Sequence, residues 1–168
     1  MTLIFLDGSR DGEPDVEFDL YTPVTVSWPA YARSLGRPES VVLGGAGGYL
    51  ELKFGAESGQ LLELVLVSSN ASALSEALAP EAFGAEEDAP IAIRHEASAS
   101  PGAADQKLDL APLAYLDALE IRLDERTPLR IVRGRRVSFG VLADDRIASV
   151  YVKCSESERE LFLEASNP

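Results

Sequence analysis

Two segments of this chain carry the same pattern. Tyr49–Ala79 and Arg136–Glu164 each read as a β-hairpin running into a helix. With Phe54 set over Phe139, Phe54-Gly55 falls on Phe139-Gly140, Val65 on Val150 and Val67 on Val152. The helix start matches as well, Asn70 over Ser155, two residue types whose side-chain oxygen caps a helix N-terminus. We read this as a weak internal duplication of roughly eighty residues per copy, a constraint that outranks local propensity. It implies a first βα half over 1–80, a linker over 81–90 and a second βα half over 91–168. A chain of 168 residues is long enough to close both halves into one compact domain with a sizeable interior.

The rest of the chain fits such a plan. Thr2–Leu6 is a short apolar run with strand character, Asp7 to Asp15 is turn chemistry, and Val16–Tyr21 alternates Val16, Phe18 and Leu20 against Glu17, Asp19 and Tyr21. Val24–Trp28 predicts a strand, and Pro29 suits the first turn of a short helix to Leu35. Val41–Leu43 leads into Gly44-Gly45-Ala46-Gly47-Gly48, a slack connector to the first hairpin. There Leu50, Leu52 and Phe54 share one face, and Leu61–Val67, apolar on both faces, predicts a covered central strand. Ala71–Ala79 predicts a helix with Ala71, Leu74 and Leu78 on one stripe. Pro80 to Pro90 is the inter-copy linker.

In the second half Ile91–His95 predicts a strand, and Glu96 to Lys107, without apolar periodicity, a loop. Pro112 to Leu119 predicts a short helix. Leu119–Leu123 and Leu129–Arg133 alternate as strands, with Thr127-Pro128 turning between them. Arg136–Leu142 and Arg146–Lys153 form the second hairpin around Ala143-Asp144-Asp145. The last helix opens on Ser155 with Glu158 three residues on, a capping box, and buries Leu161, Phe162 and Ala165. The fold class expected is α+β, mainly antiparallel β-hairpins with short helices packed on the sheet.

Apolar residues make up 46% and charged residues 26%, the composition of a globular chain. No apolar run approaches the roughly 20 residues a membrane span needs, and the first residues lack a basic leader. With a single cysteine, Cys154, there is no intrachain disulfide framework. These features suit a cytoplasmic bacterial protein. The net charge of −13 opposes non-specific nucleic-acid binding. Residues 1–90 hold 4 basic and 15 acidic side chains, residues 91–168 hold 11 and 13, so the negative excess sits in the first half.

Local motifs nominate little chemistry. Asp7-x-Ser9-x-Asp11-Gly12, with Asp15 at the ninth position, resembles the first half of an EF-hand calcium loop. The twelfth position is Phe18 instead of a bidentate Glu, and the flanks are strands, so a plain acidic loop is expected. Gly44 to Gly48 is followed by strand residues and no Lys-Ser/Thr, which disfavours a phosphate cradle. Cys154 and His95 are the only Cys and His; the small residue Ser69 at the matched position assigns Cys154 to packing at a strand end. No catalytic residue, metal or cofactor is assigned.

Two surfaces remain. The acidic residues Asp7, Asp11, Glu13, Asp15, Glu17 and Asp19 suit a basic partner. The expectation is therefore a non-enzymatic binding protein, of the immunity type that engages a cationic toxin or other basic protein. The alternative is a small-ligand or phosphate-binding protein, or an enzyme, built on an Arg122–Arg136 hairpin, with Arg126, Arg130, Arg133, Arg135 and Arg136 as anion ligands. Against it stands an intramolecular role, the basic hairpin docking on the acidic first half.

Overall fold

The computed structural model describes residues 2–7, 12–33, 36–45, 48–69, 73–79, 91–96, 105–107, 110 and 112–166. The first half contributes β1 (Thr2–Asp7), β2 (Asp15–Glu17), β3 (Val24–Ser27), α1 (Pro29–Arg33), β4 (Glu39–Gly45), β5 (Gly48–Phe54), β6 (Leu61–Ser69) and β7 (Ala73–Leu74). The second contributes β8 (Ile91–Glu96), β9 (Asp105–Lys107), β10 (Leu113–Ala114), β11 (Ala118–Arg122), β12 (Arg130–Val132), β13 (Val137–Val141), β14 (Ile147–Lys153) and α2 (Glu156–Ser166). The fold is α+β, mostly antiparallel strands with few short helices, in two similar halves. Among the described residues no helix is long and apolar enough to cross a membrane.

The similarity of the halves lies in strand order. β2-β3-β6-β5-β4 forms the body of one sheet, and β10-β11-β14-β13-β12 repeats that order in the other. Each sheet is completed by a strand from the other half: β9 lies parallel to β4, and β7 parallel to β10. β1 and β8 pair with each other, antiparallel, from Thr2 opposite Glu96 to Asp7 opposite Ile91.

Inner positions match across the halves rung by rung. Leu50 opposite Leu66 and Leu52 opposite Leu64 take the places of Val137 opposite Val152 and Phe139 opposite Val150. Val24 and Val26, which pair with Leu66 and Leu64, correspond to Leu119 and Ile121, which pair with Val152 and Val150. The structural register therefore corrects the one read from residue identity. Phe139 corresponds to Leu52, and Phe54, opposite Leu61, corresponds to Val141, opposite Ile147. Setting Val65 over Val150 put an outward residue on an inward one, because a one-residue slip along a strand reverses its faces.

The inner faces of both sheets meet in one apolar core. Val24, Val26, Leu50, Leu52, Leu64 and Leu66 from the first pack with Leu119, Ile121, Phe139, Val150 and Val152 from the second. Trp28, at the end of β3, bridges them, its ring centroid 6.2 Å from that of Phe139. Fully burying a side chain of this size contributes about 1.5–3 kcal/mol, so these residues dominate the stability. α2 adds Phe162, fully buried, with Leu161 and Ala165 only half-buried. Its capping box forms as expected: the Glu158 N–H donates to Ser155 Oγ at 3.3 Å, and the Ser155 N–H to Glu158 Oε2 at 2.7 Å.

Two expected helices are absent. Within Ala71–Ala79 the chain forms β7, not a helix, and its backbone turns to the second half. The Ser75 N–H donates to the Ala114 carbonyl at 2.8 Å and the Ala79 N–H to Asp117 Oδ1 at 2.8 Å. Pro112–Leu119 is no helix either: β10 and β11 pair around a tight turn in which the Tyr115 N–H donates to the Ala118 carbonyl at 2.8 Å. In both places cross-chain hydrogen bonds outweigh the helix propensity of Ala and Leu. The glycine run is not a slack connector, since Gly44 and Gly45 pair with Tyr49 and Gly48 as the last rungs of a hairpin. Asp105–Lys107, inside the expected loop, is β9. The linker Pro80 to Pro90 lies outside the described residues, apart from which β6 is central as expected, although Val67 at its end is exposed.

Gly140 tests the packing of the second sheet. A Cβ there would lie 2.2 Å from Ser149 Oγ and 2.6 Å from Pro128 Cγ. Gly140→Ala should therefore destabilise by about 1–3 kcal/mol, as overpacking does. Urea unfolding checks this, and an unchanged midpoint would mean that Pro128 is not seated against the strand.

Candidate functional site

With the inner faces buried together, side chains at alternate positions of every strand are left on the two outer faces. The faces differ sharply. On the first sheet one rung runs Glu17, Thr25, Val65, Glu51, Val42, and the next runs Asp15, Ser27, Glu63, Lys53, Ser40. Asp15 and Glu17 are exposed, while Val42, Tyr49 and Val67 keep 39%, 53% and 46% of their surface. Lys53 is not a free cation. Its Nζ donates to Glu63 Oε2, Ser27 Oγ donates to Glu63 Oε1 at 3.0 Å, and the ammonium lies 5.8 Å from the Tyr31 ring centroid on α1. The bond to Glu63 raises the Lys53 pKa against the opposing effect of burial. The face therefore presents Asp15 and Glu17 along its β2 edge and Glu51 beside Val42, with its lysine already neutralised.

The other acidic residues singled out from sequence are spread along this edge. Glu13 is exposed, 3.6 Å from Arg135 of the second half. Asp19 is exposed, and its Oδ1 accepts the Tyr21 N–H at 2.7 Å, shaping a turn that leaves Tyr21 92% and Leu20 46% exposed. Asp7 belongs to β1. Its side chain lies outside the described residues, as does Asp11 with the rest of the calcium-like loop from 8 to 11. Exposed Tyr21, Tyr49 and Val42 were not singled out from sequence, although outward aromatics on an acidic strand were the available signal.

The outer face of the second sheet is covered. Glu120, 3% exposed, accepts from Arg122 Nε at 3.0 Å, from the Tyr115 hydroxyl at 3.0 Å and from the Tyr151 hydroxyl at 3.4 Å. Burial, then the Glu120 charge, pushes the Tyr115 phenol up to about 12. Burial raises Tyr151 too, although nearby Ser149 acts the other way. Its bond to Glu120 raises Arg122. These groups line a cleft of about 190 Å³ with Asp124, Glu125, Arg126, Thr127, Pro128, Ala148 and Ser149. Sequence reasoning missed it, because Glu120 stands in an apolar strand and its partners come from three separate segments.

The arginine set does not form one hairpin. β11 and β12 stand at different places in the sheet with β14 and β13 between them, which corrects the Arg122–Arg136 strand-turn-strand unit. Arg126 forks onto Asp124, with Nε to Oδ1 at 2.9 Å and Nη2 to Oδ2 at 2.6 Å. Arg130 meets Asp145 at 2.8 Å, and Arg136 meets Glu158 at 2.8 Å. Arg133, between β12 and β13, is half-buried. Arg135 reaches the acidic first half through Glu13. The cations are thus largely matched by carboxylates close to them.

Cys154 is buried, and burial, helped by the Glu158 charge, pushes its thiol up to about 11. His95 lies in β8, opposite Leu3. At neutral pH the sulfur is a thiol, so alkylation by iodoacetamide should be slow in the folded protein and fast in denaturant. Equal rates would show that the strand end opens readily. A second expectation concerns acid. The Arg126 hydrogen bond holds Asp124 down to about 2, below its ordinary 3.8. Stability from this pair is complete above about pH 5 and is lost as the pH falls towards 2. Asp124→Asn should flatten that acid limb, by no more than about 1 kcal/mol after solvent screening, as acid unfolding followed by circular dichroism would read. Comparison with protein-family models and with curated proteins finds no match for this chain.

Proposed function

We propose that this chain is a non-enzymatic binding protein that engages a cationic protein through the outer face of its first sheet. The most concrete form is an immunity-type inhibitor of a basic toxin. The observation that carries the reading is the open face itself, where Asp15 and Glu17 lie on the β2 edge and Glu51 pairs with Val42, on the same face as the exposed Tyr49 and Val67. An apolar centre that excludes water, with charge around it, suits a protein partner, because the centre supplies affinity and the rim supplies steering. The net charge of −13 extends the attraction beyond contact range. Tyr21 and Leu20 beside Asp19 offer a second anchor at the same edge. The reading implies a cytoplasmic protein that meets its partner in the cell that makes it.

Its test is a triple reversal, Asp15→Lys with Glu17→Lys and Glu51→Lys, all on the outer face and away from the core. The native protein, used as bait in an extract of its host at low salt, should retain a protein of basic pI. That partner should be lost as salt rises, and the reversed variant should bind it about tenfold or more weakly. Retention by the variant at low salt equal to that of the native chain would remove the face from consideration.

A further inference from the structure

The covered outer face of the second sheet holds a hydrogen-bonding group with nothing to bond. Ser149 is 1% exposed, lines the cleft, and its Oγ has no hydrogen-bond partner, the Tyr151 hydroxyl being near it without the geometry of a bond. Leaving a buried hydroxyl unsatisfied is destabilising. The duplication shows what the position can look like when satisfied. Ser149 stands between Arg122 and Gly140, at the rung where the first sheet has Glu63 between Ser27 and Lys53. There the chain supplies both partners itself. In the second sheet the lysine is replaced by Gly140, the facing side chain is gone, and the cleft opens beside the orphaned oxygen.

The chemistry of the lining limits what can enter. Arg122 is tied to Glu120 through Nε at 3.0 Å, and Arg126 to Asp124 through both Nε and Nη2. Each guanidinium charge is already offset by a carboxylate, which weakens its pull on an anion. A cation would face the two arginines, and the Glu120 oxygens are already taken by two phenols and Arg122. Apart from the Glu125 carboxylate and the remaining arginine N–H groups, what is left to bond is neutral and two-sided. The Tyr115 and Tyr151 hydroxyls give their protons to Glu120 and keep lone pairs, while Ser149 and Thr127 can donate or accept. Pro128 and Ala148 add an apolar wall. A volume of about 190 Å³ suits a molecule of monosaccharide size.

We propose that this cleft is a binding site for a neutral, hydroxyl-rich small molecule, of the sugar or polyol class, read by Ser149 and the Tyr115–Glu120–Tyr151 cluster. The site is separate from the acidic face of the first sheet. A ligand hydroxyl bonded to Ser149 removes the unsatisfied group, and C–H edges of the ligand rest on Pro128.

Saturation-transfer NMR on the full chain, with D-glucose, D-galactose, D-mannose and myo-inositol as separate probes, tests it. At least one probe should receive saturation from the native protein. Ser149→Ala, which removes only the orphaned hydroxyl, should be as stable as the native chain in thermal melts or more so, yet lose that signal about fivefold or more. Tyr115→Phe should weaken the same signal, and it carries the reading alone if Ser149→Ala does not fold. Absence of transfer to all four probes overturns the proposal, as does a signal unaltered in the folded variants. Inorganic phosphate or methylammonium shifting the Ser149 and Tyr151 amides when no sugar does would overturn it equally, by showing that a charged ligand is wanted.

Discussion

Mutual burial of two inner faces is what the rest of this molecule depends on. Leu50, Leu52, Leu64 and Leu66 are buried in one cluster with Leu119, Ile121, Phe139, Val150 and Val152, so each sheet shelters the other. Two sheets with the same strand order and the same inward rungs suit one another as layers of a sandwich. The exchange of β7 and β9 ties the layers further, each half lending a strand to the sheet of the other. Trp28 and Phe139 fasten the centre, one ring from each half.

Because the inner faces are committed to each other, the duplicated halves could diverge only outside. The same rung carries Ser27, Glu63 and Lys53 on one sheet and Arg122, Ser149 and Gly140 on the other. On the first sheet α1 brings Tyr31 against the Lys53 end and leaves the remaining face open. On the second, the segment after β11 folds back, and Pro128 lies against Gly140 in the space a side chain would need. The missing side chain at Gly140 makes room for that loop on the sheet. Charge follows the same division. Acids of the first half are spread along an open surface, while the arginines of the second are matched by local carboxylates such as Asp124, Asp145 and Glu158.

Much of this was legible in the residues, and what was not has identifiable causes. Alternation announced β5, β11 and β12, because a half-buried strand must place apolar side chains at every second position, and the run apolar on both faces announced β6. The capping box at Ser155 and Glu158 is a local device and was read correctly. Register was misread, since identities such as Phe54 with Phe139 compare letters, whereas the core compares rungs, and Leu serves as well as Phe at the place of Phe139. The two missing helices fail for one reason. Their Ala- and Leu-rich stretches have helical propensity, but Ala73–Leu74 and Leu113–Ala114 lie where they complete the second sheet, and pairing there outweighs a few tenths of a kcal/mol per residue. The arginine hairpin fails on topology: Arg122 and Arg130, close in sequence, belong to strands with two others between them.

The Glu120 cluster shows why a site of this kind is hard to find from sequence yet informative in three dimensions. A carboxylate under cover is costly unless its lone pairs are filled, and an apolar residue of similar size would cost less at the same place. Arg122, Tyr115 and Tyr151 fill them, drawn from β11, from the turn before it and from β14. That arrangement stabilises the carboxylate, but it spends two phenols and a guanidinium on a position that the first sheet occupies with Thr25, a half-buried neutral residue. Packing alone therefore does not call for the cluster, since the equivalent rung folds without it. A polar network held rigid beside a cleft, with one hydroxyl left over, has the form of a preorganised surface whose last hydrogen bond comes from outside the chain.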